Sequence, residues 1–172
     1  SVEQTIDKVA VLRPDRIAFY SYAHVPWIKP GQRKFTEKDL PANEEKQALY
    51  ELGKEKLLAA GYIEIGMDHF ALPTDSLHKA FVSSRLSGEN ISLHRNFMGY
   101  TTGYTRLMVG IGVSSISDTW DCFAQNVKTV EEYYKLIDAG EIPVFRGHKL
   151  NAEDLVVRQH VLNIMCRFTT SW

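Results

Sequence analysis

An α/β fold with parallel strands, passing into a mainly helical tail, is what this 172-residue sequence predicts. Three observations carry that expectation. Helical stretches alternate with short runs rich in β-formers along the first 120 or so residues. Polar groups gather just beyond those runs, at Ser21-Tyr22-Ala23-His24, Met67-Asp68-His69-Phe70 and Ser114-Ser115-Ile116-Ser117, where parallel sheets place their sites. Helix signals then predominate, so residues 1–120 are expected to form one part and residues 121–172 another, with the softest boundary near residues 118 to 129.

Each element has its own justification. Ile6, Val9 and Leu12 sit three apart and Pro14 closes the run, which gives an opening helix. Arg16 to Tyr22 is apolar on both alternating faces, the pattern of a buried parallel strand. A basic loop follows from Pro26 to Pro41. Residues 43–60 read as a helix capped by Asn43, with Leu49, Leu52, Leu57 and Ala60 near one face and Gly61 at its end. Gly53 inside it costs about 1 kcal/mol relative to Ala. Ile63, Ile65 and Met67 alternate as a second strand, residues 74–92 hold a helix and a loop, and Leu107 to Ile116 gives a third strand. Thr129 and Glu132 make a capping box for a helix that Gly140 stops. A short strand, Ile142 to Phe145, precedes a last helix from Ala152 to about Phe168 behind Asn151.

The composition limits the function. A net charge of −1 gives no general attraction to nucleic acid or to a membrane surface. The two cysteines, Cys122 and Cys166, form no CxxC, which argues against a disulfide framework or a zinc ribbon and for a reducing compartment. No apolar run approaches the roughly 18 residues of a membrane span. The N-terminus has no secretory pattern, so a cytoplasmic location is expected.

The densest chemistry lies in LHRNFMGYTTG, Leu93 to Gly103, where His94, Arg95 and Asn96 run into Phe97. Polar hooks and aromatic faces this close suit a flat or extended acidic organic ligand. Arg33, in the basic loop, can hold a carboxylate by a bidentate pair or simply be solvated. His24, Asp68, His69 and His94 lack helical ligand spacing, so a hydrogen-bonded rim outweighs a metal site. Asp68 and His69 are adjacent, and adjacent strand residues face opposite ways, which argues against an acid–base couple. GVSSIS is not a nucleophile elbow, and Gly110-x-Gly112 is better explained by close packing than by phosphate binding.

Taken together, PDRIAFYSYAH from Pro14, Gln32-Arg33-Lys34, GYIEIGMDHFALPTD from Gly61, LHRNFMGYTT from Leu93 and GIGVSSIS from Gly110 resemble the oxygen-independent coproporphyrinogen III oxidases. These are radical S-adenosylmethionine (radical SAM) enzymes of heme and porphyrin biosynthesis. The likeness runs over nearly the whole chain, through DCFAQN and the tail RGHKLNAEDLVVRQHVLNIMC. It implies the later part of a partial (β/α)6 barrel with parallel strands, then the start of a mainly helical domain. It also implies a reaction. Two propionates of coproporphyrinogen III are oxidatively decarboxylated to vinyls, giving protoporphyrinogen IX, with S-adenosylmethionine consumed beside a 4Fe–4S cluster. Taking hydrogen from an unactivated propionate carbon is beyond a side-chain base. The family uses a cofactor-made 5′-deoxyadenosyl radical, while the protein positions and shields.

By the same resemblance, Ala23 contacts a second S-adenosylmethionine through its backbone, Ile116 contacts the cluster-bound one, and Phe97 lines the same cavity. Arg33, Asp68, His69, His94 and Arg95 are the substrate-side candidates for a tetrapyrrole. Met98 stands where family members often carry Gln, and a thioether cannot make an amide's hydrogen bonds. The family's CxxxCxxC and its glycine-rich S-adenosylmethionine motif are absent. With an opening that is already helical and has no Met, the sequence predicts a chain cut at an internal boundary, although a processed protein looks the same. Its partners would be the missing barrel half and the tetrapyrrole, with no nucleic acid and no membrane. Its first strand would keep an unpaired edge through which it self-associates. Two other readings stay open: a heme- or porphyrin-binding paralogue without oxidase activity, and a metal-dependent hydrolase built on His24, His69 and His94.

No cofactor is expected on this chain alone. Anaerobic iron–sulfur reconstitution of the 172-residue chain should leave it without a stoichiometric cluster; a full complement of bound iron would contradict this.

Overall fold

The structure, a computed structural model, describes residues 1–86 and 93–171. The loop expected at the end of 74–92 lies outside the described residues. The chain divides into two compact units, Ser1–Val82 and Ser83–Trp172.

In the first unit, α1 (Val2–Leu12) starts at Ser1, whose hydroxyl accepts the Gln4 N–H at 3.4 Å, and stops at Arg13 in the left-handed region. β1 (Arg16–Ala18) is much shorter than expected, three residues against seven. α2 spans Asn43–Ala59. Asn43 is its first helical residue and not its cap, because the chain stays extended through Ala42; Glu44 and Glu45 in the first turn favour the helix dipole instead. β2 (Ile63–Gly66) and β3 (His69–Ala71) follow, then α3 (Ser76–Leu86), with the sheet ordered β1-β3-β2.

Ile6, Leu57, Tyr62, Phe70 and Leu72 form this unit's core, and Val2, Ile17, Phe19 and Ala60 pack against it. Burying Leu57 and Phe70 completely contributes about 1.5–3 kcal/mol each. The Tyr62 hydroxyl donates to the Pro14 carbonyl at 2.7 Å, so the ring is buried without a lost hydrogen bond. Lys56 bridges Glu3 and Asp7, tying α2 to α1 at 3.1 and 2.9 Å. Asp75 receives both the Arg16 guanidinium, at 2.8 Å, and the Leu77 N–H at the start of α3. That joins β1 to a helix end.

In the second unit, β4 (His94–Asn96) and β5 (Gly99–Thr101) form a hairpin. β6 (Ile116–Asp118), β7 (Cys122–Asn126) and β8 (Val144–Lys149) form a separate sheet in that order. α4 (Val130–Asp138) lies between β7 and β8 in sequence, and α5 (Ala152–Arg167) closes the chain. Thr129 caps α4 by accepting the Glu132 N–H at 3.4 Å, and Asn151 caps α5 through a full capping box with Asp154.

Two expectations are corrected. Every strand pairing among the described residues is antiparallel, not parallel. For two of these pairings the reason is local. β2 joins β3, and β4 joins β5, through two-residue turns, and a connection that short allows only antiparallel neighbours. The third strand expected at Leu107–Ile116 is not a strand; it makes one isolated bridge, Met108 to Asp118. Gly112 (φ +99°) and Ser114 (φ +61°) break its extended course. A Cβ on Gly110 would come within 2.7 Å of the Ile116 carbonyl oxygen, the close approach that its glycine permits. Buried Asn126 stands in for a ladder, donating to the Gly110 and Gly112 carbonyls at 3.2 and 2.9 Å.

Arg158 on α5 forks onto Asp118 at 3.0 and 2.7 Å and donates to the Trp120 carbonyl at 3.0 Å. Its guanidinium stacks on Trp120 and Phe123, 4.4 and 4.9 Å from the ring centres. Only 11% of the Arg158 side chain and 13% of Asp118's reach solvent. Asp118→Ala should therefore destabilise the chain by about 3 kcal/mol, because it strands a mostly buried charge. Asp118→Leu combined with Arg158→Met should cost less than the single change in urea denaturation; an additive double variant would refute the coupling.

Candidate functional site

The first unit presents its chemistry on the segment after β1. Tyr22, His24 and Phe35 form an aromatic trio with ring centres 5.5–6.0 Å apart. Exposed Ala23 lies within it in sequence. A cleft of about 510 Å³ opens there, lined among others by Tyr20, Tyr22, His24, Lys46 and Tyr50. Arg33 lines a shallower concavity with His24, Phe35 and Lys38. Its Nε donates to the Pro26 carbonyl at 3.0 Å. It is exposed and makes no ion pair among the described residues, so its terminal nitrogens remain available for an anion.

Asp68 and His69 do not sit at the end of a parallel strand. Met67 (φ +45°) and Asp68 (φ +65°) are the two turn residues between β2 and β3, and His69 opens β3. The Asp68 carbonyl accepts the Phe19 N–H at 2.8 Å. Its carboxylate hydrogen-bonds Tyr50, which stacks flat on Phe19 with centres 5.5 Å apart. Burial above all, then that hydrogen bond and the Asp68, Glu64 and Glu51 charges, push the Tyr50 hydroxyl up to about 12. The His69 ring bonds the Met67 carbonyl at 2.7 Å. Asp68 also lines a small cavity with Ser21, Asn43, Lys46 and Tyr50.

The second unit answers why hooks and rings crowd together in LHRNFMGYTTG. The stretch is a hairpin, and Phe97 and Met98 are its tip. Asn96 shapes the turn by accepting the Met98 N–H at 2.8 Å, and Gly99 takes φ +124°. Met98 is 91% exposed. Phe97 packs edge-on against Phe123, centres 5.2 Å apart, and lines a concavity of about 270 Å³ with Ile116, Phe123, Gln125, Arg146 and His148. Phe97 and Ile116 are thus brought together.

His94 and Arg95 take different environments. His94 packs edge-on against Tyr104, centres 4.9 Å apart. Burial first, and the Arg158 charge next, hold it below the usual histidine range, with Asp118 opposing. It offers a hydrogen bond at neutral pH and not a cation. Arg95 stacks over Tyr100 at 4.8 Å and leaves a buried Nη1 without a partner. Tyr100 in turn donates to the Met165 carbonyl at 2.6 Å. The candidates therefore fall on two units: Ala23, Arg33, Asp68 and His69 on the first, and His94, Arg95, Phe97 and Ile116 on the second.

Two participants carried no sequence signal of their own. Tyr50 sits inside an amphipathic helix, and Arg158 meets Asp118 from 40 residues away. Gln32 entered the sequence reading as part of the family string Gln32-Arg33-Lys34, without a role of its own. Among the described residues, no three His, Cys, Asp or Glu side chains converge to hold a metal ion. No helix among them is long and apolar enough to cross a membrane.

Cys166 is buried, and burial pushes its thiol up to about 11 from an ordinary 9.0, against the opposing effect of Arg95. Between those values the unfolded chain gives up the proton and the folded chain keeps it. Stability should therefore fall as pH rises from about 9 through 11. Urea midpoints measured across that range should fall less steeply in Cys166→Val; identical slopes would exclude this thiol as the cause.

No protein-family profile matches the chain. Over 168 residues, 98% of its length, it is 44% identical to the oxygen-independent coproporphyrinogen III oxidase of Synechocystis sp., of which it covers 34%. It is 40% identical over 164 residues to the enzyme of the same name from Escherichia coli, covering 95% of this chain and 34% of that one. A solved structure, the coproporphyrinogen III oxidase of Escherichia coli described as a radical SAM enzyme, matches 96% of this chain with a TM-score of 0.86 at 39% identity, and 36% of that chain is covered. The chain thus spans about a third of the length of the relatives it matches. Over nearly all of its own length, this chain is homologous to one part of the oxygen-independent coproporphyrinogen III oxidases.

Proposed function

We propose that this chain works as one part of an oxygen-independent coproporphyrinogen III oxidase. That enzyme oxidatively decarboxylates two propionates of coproporphyrinogen III to vinyls, giving protoporphyrinogen IX in heme and porphyrin biosynthesis. The observation that carries the reading is 44% identity across 98% of the chain. On this reading the parallel strands of the partial barrel come together only in the longer polypeptide, with β1 offering its open edge. A cytoplasmic setting goes with it.

The residues present suit one of the two implied groups. A 4Fe–4S cluster needs several thiolates, and this chain has two cysteines, one of them buried in α5 with a raised thiol pKa. They do not fit a cluster. S-adenosylmethionine fits better. Ala23 is exposed, and the concavity lined by Phe97 and Ile116 offers an aromatic face and apolar walls for a flat ring. When bound in a radical SAM enzyme, that cofactor supplies the hydrogen abstraction that no side chain here can perform. The chain's own task is placement. On the first unit Ala23 contacts one S-adenosylmethionine, and on the second Ile116 contacts another, in a cavity that Phe97 lines. Arg33 forks onto a propionate carboxylate. His94, neutral at pH 7, can donate a hydrogen bond to the substrate without adding charge, and Asp68 and His69 belong to the wall of the first unit's cleft. Arg95, turned onto Tyr100, supports the hairpin that carries Phe97.

The test is to read the coding DNA upstream of Ser1, express the complete frame and assay it anaerobically with coproporphyrinogen III. A frame that continues into CxxxCxxC and a product that forms protoporphyrinogen IX are the expected results. A frame that opens at Ser1 would end the oxidase reading and leave porphyrin binding, read by a saturable Soret band on heme titration, as its replacement.

A further inference from the structure

Resting on that reading, we propose that Gln32 is a positioning residue whose amide holds the backbone from Ala23 to Val25 in the form that meets S-adenosylmethionine. The segment it holds belongs to no helix or strand. Residues 19–29 lead from β1 to a short 3₁₀ turn, Pro30–Lys34, that carries Gln32 and Arg33. The Gln32 Oε1 accepts the Val25 N–H at 2.6 Å, and its Nε2 donates to the Ala23 carbonyl at 3.2 Å. One carboxamide thus spans His24 and fixes a donor on one side and an acceptor on the other. A carboxamide joins a donor and an acceptor on one planar group. The opposite orientation would set donor against donor and acceptor against acceptor.

The neighbouring bonds make the loop self-closed. The Val25 carbonyl accepts the Ile28 and Lys29 N–H groups, each at 2.9 Å, and Arg33 holds the Pro26 carbonyl. Gln32 is half-buried, and both of its polar groups are spent on backbone. It therefore acts through what it holds and not by touching a ligand. The Ala23 N–H, in contrast, has no partner among the described residues. The arrangement pre-orders an open backbone edge, so the ordering cost is not charged to binding.

The experiment pairs two readouts on Gln32→Met and Gln32→Glu. Amide hydrogen exchange at Val25 is followed in this chain. S-adenosylmethionine affinity is measured by calorimetry, with KM and kcat, on the complete gene product. Gln32→Met should speed Val25 exchange and raise both Kd and KM for S-adenosylmethionine by about tenfold, the effect of one to two lost hydrogen bonds. The value of kcat and the unfolding midpoint should hold. Gln32→Glu keeps the acceptor for Val25 and loses the donor for Ala23, so Val25 should stay protected while Kd rises. Kd within about twofold of wild type in both variants, or a Kd that changes only with the unfolding midpoint, would overturn the proposal. If the wild-type product binds no S-adenosylmethionine, the oxidase reading fails and this inference falls with it. That failure shows in the wild type, whereas failure of the clamp alone shows only in the variants.

Discussion

The two-residue turn is the constraint on which the described architecture depends. Met67-Asp68 and Phe97-Met98 each reverse the chain at once, and each decides what its neighbours can do. The first turn holds two non-glycine residues in the left-handed region and so sends Asp68 toward Tyr50 and Phe19. The second lifts Phe97 beside Phe123 and leaves Met98 in solvent. Had either segment run on as a longer strand, its side chains would have alternated across two faces and could not have met in this way.

Three arginines show how similar side chains separate by environment. Arg158 is locked by a carboxylate and two rings, and it organises the loop around Trp120. Arg95 lies over Tyr100, with a buried nitrogen left unsatisfied. Arg33 spends only its Nε, on the Pro26 carbonyl. Charge alone does not tell the three apart; burial and partners make Arg33 the open one.

The helices were largely legible because their signals are local. Thr129 and Asn151 cap where expected, and Gly140 takes φ +73° beyond α4. Strand direction was not legible. Alternation in Ile63, Ile65 and Met67 shows which residues share a face, yet it carries nothing about the partner's direction. The run Leu107–Ile116 has β-branched residues enough for a strand, but Asn126 bonds its carbonyls from 14 and 16 residues away, and nothing within the run announces that. At the candidate site, the pairing of Phe97 with Ile116 was expected from family likeness, whereas the roles of Tyr50 and Gln32 show only in their bonds in space.

Cys166 carries a further consequence for how the protein ages. Peroxide and disulfides attack the thiolate and not the thiol. A buried sulfur that keeps its proton up to about pH 11 stands outside that chemistry under ordinary conditions. Within these 172 residues, cysteine oxidation therefore enters at half-buried Cys122 on β7. A sulfenic acid there would sit on the strand between β6 and β8, beside Phe123. Within this stretch, exposure to air would be felt first in the sheet that shapes the Phe97 concavity, while the interior of α5 stayed chemically intact.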